Sequence, residues 1–446
     1  MMREPPFALL RKPAPTPLGG KRLLVLGLGD TGLSVARWAE RQGAKVRVAD
    51  TRPSPPRSFD GDLRLGAFQL SLLDGVDLVC ISPGLPLAQP VIDEARARSI
   101  PVLGDVELFA WHNSAPVLAV TGTNGKSTVT ALAGYLLRNA NIDCEVAGNI
   151  SPPVLDALMK RSTPPAAWVL ELSSYQLETT WSLDARAATM LNLSEDHFDR
   201  YAGLADYGAA KARIFEGSGV QVLNRDDAAS MAMARPGRKV VTFGVEQQAD
   251  FGLRDGFLME GSHRLLAVER LPIHGAHNVS NALAACALVR AFGLPQDALA
   301  AGLASFRGLP HRLELVRERA GVHWYDDSKG TNVGATIAAL RGLGRKAVVI
   351  LGGEGKGQDF APLREAVTEF AAGVLLIGRD APLIEKALKG LPSERCKTLK
   401  DAVERAAAIA RPGEAVLLSP ACASFDMFRD YKHRGDVFAA AVRALP

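Results

Sequence analysis

At 446 residues the chain is too long for one ordinary core, and a rule of about 150 residues per domain points to about three domains. Its 47% hydrophobic and 22% charged residues and formal charge of +4 are those of a soluble globular protein; no Lys/Arg cluster interleaved with aromatics suits a nucleic-acid groove, and no apolar run approaches the ~18 residues of a membrane span. The five cysteines are odd in number and scattered without a C-x-x-C pair, which argues against a disulfide framework or zinc site and makes a reducing cytoplasm the expected location.

The first 20 residues carry five prolines around a short apolar patch, Phe7 to Leu10, and read as a disordered leader. KRLLVLGLGDTGLSVARWAERQGAKVRVAD then runs as strand, glycine turn, amphipathic helix and a second strand ending at Asp50, one βαβ unit. TRPSPPRSFDG is a loop by its prolines, and DLVCISPGLP is a buried strand ending in a turn. A second βα unit opens at APVLAVTGTNGKST, and AAWVLELSS, AATMLNLS, VQVLNRDD and KVVTFGV follow as strands. A third set begins at HWYDDSKGTN and continues through KAVVILGGEGKG, AGVLLIGRD and EAVLLSPACAS. Strands that end in small or polar residues and lead into helices imply parallel sheets, with sites at the carboxyl ends of the strands. The expected class is α/β with three domains: 1–105, 106–309 and 310–446.

Gly27, Gly29 and Gly32 form G-x-G-x-x-G after a strand, and Asp50 follows where a ribose-binding acid would sit, which alone says NAD. Asp30 is a complication, because a carboxylate inside the loop repels a pyrophosphate, and such glycines also serve packing alone. VTGTNGKST is the stronger motif. A P-loop wants a glycine five residues before Gly125, where this chain has Val120, and Gly122 arrives two residues too late. The shortened loop still supplies Lys126 for phosphates and the Ser127 hydroxyl for Mg²⁺. Glu171, at the end of an apolar strand, is either a helix cap or a second oxygen ligand for that ion. His197 in LNLSEDHFDRY is open between a structural and a functional role, and Lys211 in YGAAKARIF reads by itself as a solvated lysine. Lys329 in DDSKGTN and Lys356 in LGGEGKG place two cations at strand ends and suggest an anionic substrate.

TGTNGKST, ELSSYQLE, LNLSEDHFDRY, YGAAKARIF, NRDD, GAHNVSNALAA, GLPHRLE, DDSKGTN, LGGEGKG and SPACASFDMF, in this order, resemble the Mur ligases of peptidoglycan synthesis, from about Lys21 to the C-terminus. The resemblance implies a Rossmann-like domain for a UDP group, a central P-loop ATPase domain with a parallel sheet, and a Rossmann-like C-terminal domain that brings the amino acid. SPACASFDMF is most similar to the branch that adds D-glutamate to UDP-N-acetylmuramoyl-L-alanine, and the Asn-Pro-Arg signature of the diaminopimelate- or lysine-adding branch is missing. The implied cofactors are ATP and Mg²⁺, and the implied enzyme is a cytoplasmic monomer with no nucleic-acid or membrane partner.

Carried onto this chain, the resemblance assigns Lys126, Glu171, His197 and Lys211 to catalysis. ATP would meet Gly122, Thr123, Asn124, Gly125, Lys126, Ser127 and Thr128, with Asn278, Asn281, Arg312 and Asp327. The UDP substrate would meet Asp30, Thr31, Asp50, Thr51, Arg52, Gly84, Asn149, Ser173 and His197. D-Glutamate would meet Lys329, Thr331, Lys356, Ser424, Phe425 and Tyr431. Metal would be held by Ser127, Glu171, His197 and Lys211, the lysine as a carbamate. Asp30 and Tyr431 depart from the apolar residue and the phenylalanine of the pattern. The alternatives are the same chemistry with L-glutamate or a folate polyglutamate chain, an NAD-dependent oxidoreductase, and a P-loop protein that only binds.

Overall fold

The computed structural model describes residues 5–198, 200–273 and 275–446, which form three sheets in chain order. The first contains β1 (Arg22–Leu26), β2 (Lys45–Asp50), β3 (Asp62–Leu65), β4 (Leu78–Ile81) and β5 (Val102–Leu103), all parallel, in the order β3-β2-β1-β4-β5. The second contains β6 (Val117–Thr121), β7 (Cys144–Gly148), β8 (Ala167–Glu171), β9 (Ala187–Met190), β10 (Val220–Asn224), β11 (Val240–Phe243), β12 (Phe251–Arg254), β13 (Phe257–Glu260) and β14 (His263–Ala267). Its order is β14-β13-β12-β11-β10-β9-β6-β8-β7. The third contains β15 (Glu314–Arg319), β16 (Val322–Asp326), β17 (Ala347–Gly352), β18 (Ala371–Ile377), β19 (Ser393–Arg395) and β20 (Ala415–Leu418), in the order β15-β16-β20-β17-β18-β19.

The central strands β6, β8 and β9 are buried along their whole length, as continuous apolar runs in a covered parallel sheet should be. The helix Lys126–Asn139 and the helix Ala276–Phe292 pack against each other on this sheet, and the small residues Ala282, Ala284 and Ala287 of the second join the same apolar cluster. Phe109, in the helix Asp105–His112, meets Trp168 of β8 edge to face at 5.0 Å and ties the first unit to the second.

Two features differ from the sequence reading. The sheets are not wholly parallel as expected: the central one ends in antiparallel β12-β13-β14, and β15 is antiparallel to β16. Asp255 and Gly256 join β12 to β13 with φ of +50° and +75°, a tight turn in which both residues are left-handed, so the chain reverses instead of crossing over. The expected disordered leader is also corrected. Residues 1–4 lie outside the described part, but Phe7, Leu10 and Leu18 are buried, Phe7 and Leu10 in a cluster with Ile92 of the first unit and Tyr201 and Tyr207 of the second. The prolines restrict the free chain, so the burial of these side chains has less entropy to overcome. Among the described residues no helix is long and apolar enough to cross a membrane.

Candidate functional site

β6 ends at Thr121 and runs straight into the glycine loop before the helix Lys126–Asn139. Gly125 has φ +84°, and a Cβ there would lie 2.3 Å from Asn281 Oδ1, so glycine lets the long helix press its asparagines against the loop. Asn281 Nδ2 donates to Asn278 Oδ1 at 3.0 Å and fixes the pair. The Lys126 ammonium donates to the carbonyls of Gly122 and Thr123 at 2.8 and 2.7 Å.

Lys211 is not the solvated lysine its surroundings in sequence suggest. It is buried to 1% exposure, donates to the same Gly122 carbonyl at 2.7 Å, and lies 4.5 Å above the Tyr207 ring. Burial drives its pKa well below the ordinary lysine value, and the charge of Lys126 pushes the same way. Lys126 is lowered by burial too, with Glu171 and Asp196 opposing. Glu171 Oε1 accepts from Asn149 Nδ2 at 2.6 Å, whereas Oε2 is buried without a hydrogen-bond partner among the described residues. A buried carboxylate oxygen left open beside a phosphate loop is a donor that suits a hard cation. His197, with φ +59°, pairs its Nδ1 with the Tyr175 hydroxyl at 2.7 Å, and its Nε2 lies 3.7 Å from Asp196. Ser173 caps the short helix Ser174–Leu177, accepting from the Gln176 N–H at 3.2 Å.

The first sheet makes a separate cluster. Asp50 Oδ2 accepts from the Leu28 N–H at 2.7 Å and Arg52 forks onto both its oxygens, so hydrogen bonding to Arg52 above all brings its pKa down to about 2. Asp30 pairs with Arg57 at the surface. Thr51 and Gly84 are exposed, and Thr31 is half-buried. A Cβ on Gly32 would meet the Gly27 carbonyl at 1.8 Å, so the third glycine of the motif serves the close approach of helix and strand. Arg200, which the sequence did not single out, donates to the carbonyls of Pro83 and Leu85 on either side of Gly84, at 3.2 and 2.7 Å, and pairs with Glu178.

The third unit reaches the glycine loop. Arg312 Nη2 donates to Ser127 Oγ at 2.5 Å, and Asn332 Nδ2 lies 3.3 Å from both Asn124 Oδ1 and Asp196 Oδ2. Asp327 is half-buried, with Ser419 Oγ donating to it at 2.7 Å, and desolvation raises its pKa to about 7. Lys329 Nζ lies 4.1 Å over the Tyr431 ring, and burial, then the Arg312 charge, lowers its pKa to about 8. Lys356, with φ +51°, holds its ammonium 5.8 Å from the Phe425 ring, which is 64% exposed. Ser424 beside it is buried and Thr331 half-buried. Phosphate loop, buried carboxylate and cations from the third sheet thus meet, while Asp30, Asp50 and Arg52 stay on the first.

Three family models match the chain in order: the Mur ligase MurD-like N-terminal domain over 21–104, the Mur ligase middle domain over 120–289, and the Mur ligase glutamate ligase domain over 311–422. A UDP-N-acetylmuramoylalanine–D-glutamate ligase of Thiobacillus denitrificans is 55% identical, over 96% of this chain and 97% of its own length. One of the same name from Nitrosospira multiformis is 51% identical over 96% of each. The chain belongs to the Mur ligase family. Solved Mur ligases share its fold: MurF of Acinetobacter baumannii superposes with a TM-score of 0.62 at 18% identity, over 95% of this chain and 91% of that one. The MurC of Thermotoga maritima gives 0.61 at 20%, over 95% and 99%. As a Mur ligase the chain is an ATP-dependent ligase, and the oxidoreductase suggested by G-x-G-x-x-G alone is set aside.

Proposed function

We propose that this Mur ligase joins D-glutamate to UDP-N-acetylmuramoyl-L-alanine, converting ATP to ADP and phosphate. The observation that carries the reading is the gathering of Lys126 and Arg312 on one loop, beside the open carboxylate oxygen of Glu171, with Lys329 bringing a further cation from the third sheet. Such an array suits a reaction in which all partners are anions. The names of the half-identical relatives supply the substrates.

A carboxylate oxygen of the UDP substrate attacks the γ-phosphorus of ATP, the bond from that phosphorus to the β-phosphate oxygen breaks, and ADP leaves. The neutral amine of D-glutamate then attacks the acyl carbon; the carbon–oxygen bond to phosphate breaks, the amide forms and the nitrogen loses a proton. Lys126 and the loop residues 122–128 bind the triphosphate, Asn278, Asn281, Arg312 and Asp327 hold the rest of ATP, and Ser173, Asn149 and His197 face the UDP substrate's acyl end. Asp30, Thr31, Asp50, Thr51, Arg52 and Gly84 hold its uridine end, where Asp50 keeps the Gly27 turn in shape and Arg52 in place. Lys329, Thr331, Lys356, Ser424, Phe425 and Tyr431 receive D-glutamate.

Ser127 and Glu171 would hold Mg²⁺, which when bound neutralises charge on the triphosphate; the open Oε2 of Glu171 supports this. His197 and Lys211 would hold a second ion. Lys211 suits that task as a carbamate, because its depressed pKa leaves a neutral amine able to add to carbon dioxide with loss of a proton. Domain boundaries near 105 and 309 and a monomer complete the reading; a cytoplasmic location accords with all five cysteines being free.

The test is phosphate release with ATP, Mg²⁺ and UDP-N-acetylmuramoyl-L-alanine, comparing the glutamate enantiomers. Release should depend on the D-isomer, and equal or preferred use of L-glutamate overturns the stereochemical assignment. The lowered pKa of Lys329 gives a second expectation. Its ammonium is present below about pH 8 and lost above it, so D-glutamate affinity should fall as pH rises through that value. In Lys329→Arg the side chain stays charged and the break near pH 8 should vanish; a break that survives the substitution belongs to another group.

A further inference from the structure

The last helix, Tyr431–Ala444, is capped by Asp430, whose carboxylate accepts from the His433 N–H at 2.8 Å. One turn in, it buries the guanidinium of Arg434 completely. Burial lowers the pKa of Arg434 to about 10, so the group is still a cation at neutral pH. Buried arginines usually face a carboxylate, yet the acceptors here are all neutral. Nε donates to Ser328 Oγ at 3.0 Å and Nη2 to the Ser328 carbonyl at 2.7 Å. Nη1 donates to the carbonyls of Cys422 and Ala423 at 3.0 and 3.3 Å.

Those acceptors sit next to the groups proposed to receive the amino acid. Ser328 precedes Lys329, and Ala423 precedes Ser424 and Phe425. The Ala423 carbonyl also accepts from the Glu354 N–H at 2.9 Å, which starts the turn that carries Lys356. Ser328 Oγ donates onward to the Tyr431 carbonyl at 2.7 Å. A single planar group therefore spans the turns after β16 and β20 and, through Ala423, the turn after β17.

We propose that Arg434 is a positioning residue of the amino-acid site, fixing the spacing between the Lys329 turn and the Ser424 turn and thereby the affinity for D-glutamate. The inference deepens the function proposed above and rests on it for the identity of the amino acid. Charge-assisted bonds in the fixed fork of a guanidinium set both distance and angle, which the compact ammonium of lysine does not. The helix does not need the fork to stay in place, because Phe438 and Val442 anchor it in the apolar core.

Arg434→Lys and Ser328→Ala test this, each assayed beside the wild type. In Arg434→Lys the KM for D-glutamate should rise about tenfold, with KM for ATP and for the UDP substrate within about twofold, since a displacement of about 1 Å at a positioning group has effects of this size or larger. Ser328→Ala, which deletes one acceptor, should shift the same constant in the same direction by less. Hydrogen exchange, which needs no substrate, should quicken in residues 326–331 and 421–427 and stay unchanged in 117–139. An unchanged KM for D-glutamate in a variant that melts like wild type, or an equal rise in all three constants, overturns the proposal. If Arg434→Lys does not fold, Ser328→Ala decides by the same readings. A wild type that releases no phosphate in response to D-glutamate overturns the substrate reading instead, and the exchange pattern then decides on Arg434 by itself.

Discussion

Lys126→Met is expected to lower D-glutamate-dependent phosphate release by about 10²–10³-fold, the range found when one preorganised donor is removed from a site of developing negative charge. Methionine keeps the length and apolar body of the side chain and removes only the ammonium. Stability should change little, for a physical reason visible in the loop. Lys126 and Lys211 donate to one carbonyl, that of Gly122, and burial lowers the pKa of both. Removing the Lys126 ammonium loses two hydrogen bonds but also removes the cost of burying its charge, so the terms oppose each other. Lys126→Arg should not restore activity, because a planar fork does not reproduce a point charge held over two adjacent carbonyls. Initial rates with saturating ATP and a thermal melt read both quantities. A loss smaller than about tenfold would mean that the backbone N–H groups of the loop carry the phosphates without the lysine.

The sequence was most readable where the signal is local. The strand, glycine turn and helix from Arg22 to Arg41 follow from spacing alone, and so does the run from Val117 through Lys126, since periodicity and glycine chemistry act over a few residues. The hairpin at Asp255-Gly256 carried a readable signal, the dipeptide of a tight turn, but the strands on either side are four residues each and give little alternation. Lys211 shows the limit of local reading. Its neighbours Tyr207 and Phe215 say only that one helix face is apolar, while its environment is set by the Gly122 carbonyl 89 residues away. Arg200 and Arg434 were missed for the same reason: their partners are carbonyls 117 and 106 residues earlier, and backbone acceptors leave no mark in residue types. The leader was misread because composition reports the entropy of the free chain but not the presence of a cleft that takes Phe7.

Lys211→Met is expected to reduce activity by about 10²–10³-fold as well, by removing a group at which negative charge is needed rather than one that supplies positive charge. The wild-type lysine is buried, and its pKa is depressed first by that burial and then by the charge of Lys126. An unmodified ammonium there would repel both Lys126 and a cation, whereas a carbamate replaces the repulsion by attraction. Methionine fills the same volume and leaves the contact with Tyr207 apolar, so the variant separates charge from packing. Lys211→Ala opens a space in which a small carboxylate can stand in for the carbamate, and acetate should recover at least part of the lost rate there and none in Lys211→Met. Carbon-13 NMR of wild-type protein equilibrated with labelled bicarbonate should show one carbamate resonance that both variants lack. Near-normal activity of Lys211→Met would overturn the assignment, because a group that can be replaced by a thioether neither carries the anion nor holds a cation.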